Sequence, residues 1–257
     1  MPSANHVCLG RLPVRHDPRT LRFARYLLPS ALPPLPSYVH WSSKCKAAWG
    51  MMLNDRIGDC TCAAAGHAIQ VWTAGHGNEL TLPDSDVLNL YERVSGYDPN
   101  TGANDNGAVE LNVLKEWRTN GIGGHKIGAY CALNMRDTRE VKEALYLFGG
   151  VYLGVALPLA WQGQSVWKAP QFHFDFAHPA WRPGSWGGHA IFGVDYDSTY
   201  LTVISWGQLI KVEWTAVPAY FEEGYGIVSP EWVNDTTKAP NGFDMAALTA
   251  DLKAIAA

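Results

Sequence analysis

Residues 54–68 read NDRIGDCTCAAAGHA, and they place Cys60 where a polar loop meets an alanine-rich segment. Alanine is the strongest helix former, so this segment predicts a helix from Cys60 to about Gly75. A thiol at a helix N-terminus lies near unpaired backbone N–H groups and the positive end of the helix dipole, which both favour the thiolate. The stretch therefore predicts a nucleophilic cysteine at the first residue of a helix.

A second stretch, residues 187–196, reads GGHAIFGVDY and places His189 at the start of a run that predicts a buried strand. An early cysteine and a late histidine that the fold brings together form the arrangement in which an imidazole activates a thiol. We therefore take Cys60 and His189 as a candidate nucleophile and base.

The composition of the 257-residue chain favours a well-packed globular protein and argues against several kinds of partner. Hydrophobic residues make up 47% and charged residues 17%, which is typical of a chain with a sizeable core and not of a disordered one. The net charge of −4 offers no basic surface for nucleic acid and no polybasic patch for a membrane, so we expect neither partner. The histidines have no metal-ligand spacing, and we expect no metal or cofactor.

Five cysteines at irregular spacing do not make a disulfide framework, and the N-terminus lacks the features of a signal peptide. The uncharged residues 144–161 approach the length of a membrane span, but Gly149, Gly150 and Pro158 interrupt them. We interpret this stretch as a helix that ends at the glycines and a buried strand after it. The chain is therefore predicted to be cytoplasmic. Four cysteines are interpreted as packing residues: Cys8, Cys45, Cys62 and Cys131.

The order of the predicted elements indicates an α+β protein. Residues 1–40 are rich in proline and arginine and predict an extended N-terminal arm, which is followed by a catalytic domain over 41–240 and a C-terminal helix within 241–257. Helices precede strands, which predicts a helical lobe over about 41–135 and a β-rich lobe over about 136–235. The predicted helices are 60–75, 84–95, 108–120 and one ending at Gly149; the predicted strands are 151–157, 190–196, 201–205, 208–214 and 225–228.

Six short motifs follow one another in an order that covers most of residues 11–230. They are DPR at 17–19, LPSYVHW at 35–41, GDCTCA at 58–63, NG at 106–107, GHA at 188–190 with VDYD at 194–197, and SWG at 205–207. As an ordered set they resemble the papain family of cysteine peptidases, in the bacterial type with a short N-terminal extension. A bacterial or phage source is therefore expected.

The resemblance implies a papain-like two-lobe fold with a helical N-terminal lobe, a β-barrel-like C-terminal lobe and the active-site cleft between them. It implies a thiol peptidase or acyl transferase in which the Cys60 thiolate attacks a peptide or amide bond and His189 carries the proton. The Cys60 backbone N–H and the Asn54 amide would stabilise the oxyanion. Asn106, Gly107, Gly188 and Trp206 would line the cleft, with Trp206 also shielding the histidine.

Three departures from the family pattern bear on activity. Ile204 stands where the family has the asparagine that orients the histidine, so Ser205 or a backbone carbonyl would have to take that role. Asn54 is one methylene shorter than the family's glutamine. Asp59 places a carboxylate beside Cys60, which would raise the pKa of the thiol.

The sequence thus leaves two functions open. The first is a peptidase that acts on a peptide or protein substrate through Cys60 and His189. The second is a papain-like protein that has lost catalysis and serves as a binding or structural subunit, docking a protein partner through residues 1–40. The fold is compatible with both, because function depends on the site and not on the scaffold.

Overall fold

A computed structural model describes residues 7–28, 30, 32–232 and 243–256, and its architecture is α+β as the sequence predicts. The helices are α1 (Cys60–Gly75), α2 (Asp84–Ser95), α3 (Glu110–Thr119), α4 (Thr138–Phe148), α5 (Val217–Tyr220) and α6 (Met245–Ala256). The strands are β1 (Val39–His40), β2 (Ala129–Ala132), β3 (Val151–Leu157), β4 (Val166–Trp167), β5 (Gly187–Tyr196), β6 (Tyr200–Ser205), β7 (Gln208–Glu213) and β8 (Phe221–Val228). Among the described residues, no helix combines the length and hydropathy that a membrane span needs.

Helix α1 is buried almost along its whole length, which explains why its sequence is rich in small residues. A Cβ on Gly66 would lie 2.5 Å from the sulfur of Met52, so a larger side chain has no room there. The Trp72 ring stacks on Trp117 of α3, and its Nε1 donates a hydrogen bond to the Phe148 carbonyl at 2.9 Å. These contacts hold α1, and with it Cys60, in one position against the rest of the core.

Helix α4 ends at a pair of glycines and strand β3 follows them, as the sequence predicts. The Asp137 carboxylate accepts hydrogen bonds from the backbone N–H groups of Arg139 and Glu140, which caps the helix start. The helix ends at Gly149 (φ +68°), and Gly150 (φ +140°) follows with no room for a side chain, because a Cβ there would lie 2.2 Å from the Phe192 ring. The chain then enters the fully buried β3.

The sheet is centred on β3 and β5, and this central pair carries the predicted histidine. The strand order is β2-β8-β3-β5-β6-β7-β4, with β1 paired to β5, and the β3–β5, β5–β6 and β3–β8 pairs are antiparallel. The expected barrel-like closure of the β-rich lobe is wrong, because the sheet is open. One outer strand, β2, pairs with β8 and makes a single further bridge to Arg22. The other, β4, is two residues long and pairs with β7.

Side chains on opposite faces of the sheet enter two different apolar clusters. Phe192 and Ile204 face the cluster that includes α1, α2 and α3, whereas Ile191 and Val203 face the cluster that includes α4 and the residues near Phe23. The sheet is thus covered on both faces. The N-terminal end of α1 packs against β5, which is how the two predicted catalytic residues come to the same part of the molecule.

Candidate active site

The Cys60 sulfur lies beside the strand that carries the predicted base. The backbone N–H of Ala190, the residue after His189 on β5, and that of Gly10 from the N-terminal arm both lower the pKa of the Cys60 thiol, against the larger effect of burial. The side chain of Cys60 is buried. The fold therefore places the nucleophile predicted from the sequence next to the histidine strand and beneath the arm.

The His189 ring is held by two neighbours on β6 and the turn after it. Its Nε2 is 2.9 Å from the Ser205 hydroxyl, and its face stacks on Trp206 with ring centroids 4.2 Å apart and an interplanar angle of 17°. The other ring nitrogen, Nδ1, is buried and has no hydrogen-bond partner among the described residues. With Nε2 engaged by Ser205, Nδ1 is the nitrogen that remains for proton exchange with a thiol.

The alternation of β6 explains why Ser205 and not Ile204 contacts the histidine. Ile204 is opposite Phe192 in the β5–β6 pairing and points into the apolar cluster under α1. The next side chain along the strand points to the other face, which brings the Ser205 hydroxyl to His189. Trp206 and Gly207 both have positive φ (+46° and +68°) and form the two-residue turn to β7, which turns the indole over the ring.

Asn54 and Asp59 lie in the loop before α1. The Asn54 amide donates a hydrogen bond to the Ile57 carbonyl at 3.2 Å, so it is engaged inside its own turn and not with the sulfur of Cys60. Burial raises the pKa of Asp59 well above its ordinary value, and the Asn54 amide opposes this only in part. Asp59 in turn adds to the rise in the pKa of Cys60, as the sequence suggested, although its contribution is smaller than that of burial.

The cleft next to Cys60 is occupied by residues 8–12 of the chain itself. Gly10 accepts a hydrogen bond from the Ala108 N–H at 2.8 Å, Leu12 donates to the Ala108 carbonyl at 3.0 Å, and Arg11 donates to the Gly188 carbonyl at 3.2 Å. Farther along, the Cys8 N–H donates to the Asn54 carbonyl, and Trp206 Nε1 donates to the Cys8 carbonyl at 3.3 Å. The arm thus lies along the cleft as an extended peptide bonded to both walls.

Glycines allow the arm to lie this close to the cleft walls. A Cβ on Gly10 would lie 1.7 Å from the Gly58 carbonyl oxygen, and one on Gly107 would lie 2.1 Å from the Gly10 oxygen. A Cβ on Gly188 would lie 2.3 Å from the Arg11 oxygen. Two of the predicted cleft residues, Gly107 and Gly188, are therefore in direct contact with the arm, whereas Asn106 is exposed.

Burial favours the uncharged forms of both candidate groups. It raises the pKa of the Cys60 thiol to about 12. It lowers the pKa of His189 to about 3, with a smaller contribution from the positive charge of Arg11. Burial thus opposes the thiolate that the helix N-terminus predicts, because the cost of burying a charge exceeds what the helix end contributes. A neutral thiol is a weaker nucleophile than a thiolate, so burial disfavours reaction at Cys60 in this arrangement.

Sequence reasoning missed two groups of residues around the cleft. Asp105 accepts hydrogen bonds from the Gly58 N–H at 2.9 Å and from the Tyr91 hydroxyl at 2.6 Å, which ties the loop before Cys60 to α2. Arg11 is buried next to three glutamates, although residues 1–40 were expected to form an extended arm or to dock a protein partner. Neither position carries a local sequence signal, since both contacts join segments far apart in the chain.

In the part of the chain that the structure describes, no group of three or more His, Cys, Asp and Glu side chains is placed to hold a metal ion. All five cysteines are free thiols.

No protein-family model matches the sequence, and no curated protein does. Solved structures do match. Xylellain, a cysteine protease from Xylella fastidiosa, is 15% identical, with a TM-score of 0.66 over 89% of this chain and 98% of that protein. The chain has the papain-like fold. The structure of digestive procathepsin L 3 from the larval midgut of Tenebrio molitor also matches. It is 13% identical, with a TM-score of 0.60 over 87% of this chain and 77% of that one.

A third papain-like structure is a cysteine protease from Carica candamarcensis in complex with E-64, at 14% identity with a TM-score of 0.55 over 76% of this chain and 99% of that one. The papain-like fold therefore accounts for nearly the whole described chain. The bacterial short-extension subtype and the source remain predictions.

Proposed function

We propose that the chain is a papain-like thiol peptidase that cleaves peptide bonds through Cys60 and His189 and is held inactive by its own N-terminal arm. The observation that carries the proposal is the arm itself. Residues 8–12 show that the groove over Cys60 accepts an extended peptide and satisfies its backbone hydrogen bonds on both walls. A peptide substrate would take the same groove once the arm has left.

The chemistry follows from the groups around the sulfur. After the arm leaves, water reaches Cys60 and His189, so the penalty for charging them falls and a thiolate–imidazolium pair can form. The thiolate adds to the substrate carbonyl carbon, and the Cys60 backbone N–H at the start of α1 stabilises the oxyanion. His189 then protonates the leaving amine through Nδ1, while Ser205 holds Nε2, and water hydrolyses the thioester.

Asn54 is proposed as a second oxyanion donor, for which its amide would have to leave the Ile57 carbonyl. A backbone donor alone still supports the reaction, since one oxyanion donor is worth roughly 3 kcal/mol and its loss lowers the rate without abolishing it. Ile204 does not argue against activity, because Ser205 occupies the position from which the histidine is held.

The test is peptide hydrolysis by the full-length Gly10→Ala chain, in which the arm is displaced by the overlap with Gly58. We expect this variant to cleave fluorogenic peptide amides, and the Gly10→Ala, Cys60→Ala double variant to be inactive. Equal rates in the single and double variants would refute the role of Cys60.

The alternative is a papain-like subunit that has lost catalysis and binds a protein partner through residues 1–40. The engaged Asn54 amide is the observation that favours it, because it leaves the oxyanion with a single donor. Its test is co-purification of a partner that is lost when Arg15 and Arg19, on the exposed part of the arm, are both changed to Ala. The peptidase requires no such partner.

A further inference from the structure

Three glutamates near Cys60 surround the side chain of Arg11. This side chain is 2% exposed, its Nη1 donates to Glu223 Oε1 at 2.8 Å, and its Nη2 pairs with the half-exposed Glu222. The carboxylate of Glu110, at the start of α3, also acts on this guanidinium. We call the space bounded by Glu110, Glu222 and Glu223 the acidic pocket.

The pocket is built into the scaffold and is not a chance meeting of surface charges. Glu222 and Glu223 come from β8, and the Tyr225 hydroxyl on the same strand donates to Glu223 Oε2 at 2.9 Å. The floor is Gly154 of β3, where a Cβ would lie 2.7 Å from Glu110 Oε1 and 2.9 Å from Arg11 Cδ. Only glycine leaves the volume that the arginine side chain fills.

The acidic pocket contains more carboxyl oxygens than the Arg11 guanidinium bonds to. Glu110 is fully buried, and neither of its carboxyl oxygens has a hydrogen-bond partner among the described residues. Arg11 Nε is buried and unpartnered in the same way. Burial raises the pKa of Glu110 and of Glu223, and the guanidinium opposes both shifts. When the arm leaves, the pocket loses its single cation and keeps three carboxyl groups.

Arg11 is the residue next to Gly10, whose backbone N–H acts on the Cys60 thiol, as does the charge of Glu110. The acidic pocket therefore lies near Cys60, one residue along the bound arm from Gly10. A substrate lying in the groove would place a side chain there.

We infer that the acidic pocket is a specificity site that selects a basic substrate side chain, arginine before lysine, close to the scissile bond. This inference rests on the proposed peptidase function and adds its substrate class. A guanidinium is favoured because its planar fork can bond to carboxylates from two directions at once, whereas an ammonium is a single compact charge.

The first experiment tests the pocket without any catalysis. In the full-length Arg11→Ala chain the arm backbone remains and the pocket is empty, so a small cation can enter. We expect N-propylguanidinium to raise the Tm by about 2 °C or more, and the neutral isostere N-propylurea to leave it unchanged. The shift should disappear when Glu223→Gln is added. Equal shifts with the two compounds would overturn the inference.

The second experiment measures selectivity in the full-length Gly10→Ala chain. Fluorogenic peptide amides carry arginine, lysine or citrulline, the neutral isostere of arginine, at each of the three positions before the scissile bond. At one position we expect kcat/KM for arginine to exceed that for citrulline by roughly 10- to 100-fold, the range for charge-assisted hydrogen bonds.

Two matched variants locate that preference. Glu223→Gln in the same chain should reduce the arginine rate and leave the citrulline rate nearly unchanged. As the control, Glu213→Gln on β7 removes the surface ion pair with Lys168 and should change neither rate. An arginine preference that survives Glu223→Gln would overturn the inference.

The outcomes separate the inference from the proposed function. Cleavage of arginine and citrulline peptides at equal rates would remove the specificity site and leave the peptidase standing. Absence of any Cys60-dependent cleavage would refute the peptidase and, with it, the substrate assignment, even if N-propylguanidinium binds.

Discussion

Gly10→Ala is the perturbation that most sharply tests how the arm controls Cys60. The added Cβ would lie 1.7 Å from the Gly58 oxygen and 2.3 Å from the Gly58 carbonyl carbon. Both are backbone atoms and cannot rotate away, unlike the end of a flexible side chain. Residues 10–12 are held in the cleft by three backbone hydrogen bonds, worth about 1 kcal/mol each, and by the pairs of Arg11 with Glu222 and Glu223. We expect the overlap with the Gly58 backbone to outweigh these contacts, so that the arm leaves the cleft.

The size of the effect on the Cys60 thiol can be worked out from its pKa. Burial raises this pKa to about 12, whereas an exposed cysteine thiol ionises at about 8.5, and we expect departure of the arm to expose Cys60. At about pH 7.5 the thiolate fraction then rises by roughly three orders of magnitude when the arm leaves. Any thiolate–imidazolium pairing with His189 would increase it further.

The assay is the rate of iodoacetamide labelling at Cys60, followed by peptide mass mapping so that the five free thiols are resolved. We expect labelling roughly 10³-fold faster in Gly10→Ala than in the unchanged chain. Arg15→Ala, an exposed change on the same arm, serves as the control and should label at the unchanged rate. Labelling of Cys60 at similar rates in the unchanged and Gly10→Ala chains would refute the arm's role.

Two further predictions concern the histidines. In the Gly10→Ala background, Ser205→Ala should lower kcat/KM by roughly 10- to 100-fold, because His189 loses the hydrogen bond at Nε2. Ser205→Thr keeps the hydroxyl and should retain most of the activity. Equal loss of activity in both variants would show a merely structural effect. Burial lowers the pKa of His67 to about 4, so the unfolded chain binds a proton there as the pH falls below about 6.5 and the folded chain does not. Between pH 7 and pH 5 the unchanged chain should therefore lose about 2 kcal/mol more unfolding free energy than His67→Gln, measured by urea titration; parallel losses would contradict this.

The helices and central strands were predictable because their signals are local. The alanine-rich run after Cys60 gave α1 with its observed ends, and the glycine pair after Phe148 gave the boundary between α4 and β3. Strand β2 was missed because Ala129–Ala132 carries no alternation of its own and forms only by pairing with β8. The barrel-like closure was wrong for a related reason, since closure depends on the pairing of distant edge strands.

The residues of the candidate site were predictable where a local sequence signal marks them. Cys60 and His189 each stand at a recognisable start, of a helix and of a strand, and Ser205 was one of the two alternatives raised by Ile204. The partners of Arg11 could not be predicted, because its carboxylates come from α3 and β8 and meet only in the folded chain. The raised pKa of the thiol could not be predicted either: a helix N-terminus predicts a thiolate, but the burial of Cys60 arises only in the folded chain, where an arm some fifty residues earlier in the sequence packs near it.

The central claim is that Cys60 and His189 form a reacting pair that the arm keeps uncharged. Its most direct test is the pH dependence of Cys60 alkylation in the Gly10→Ala chain, with and without His189→Ala. We expect the thiol with His189 present to ionise at least one pH unit below its ordinary value of about 8.5, and to return to that value when His189 is removed. The same alkylation profile in both chains would contradict it.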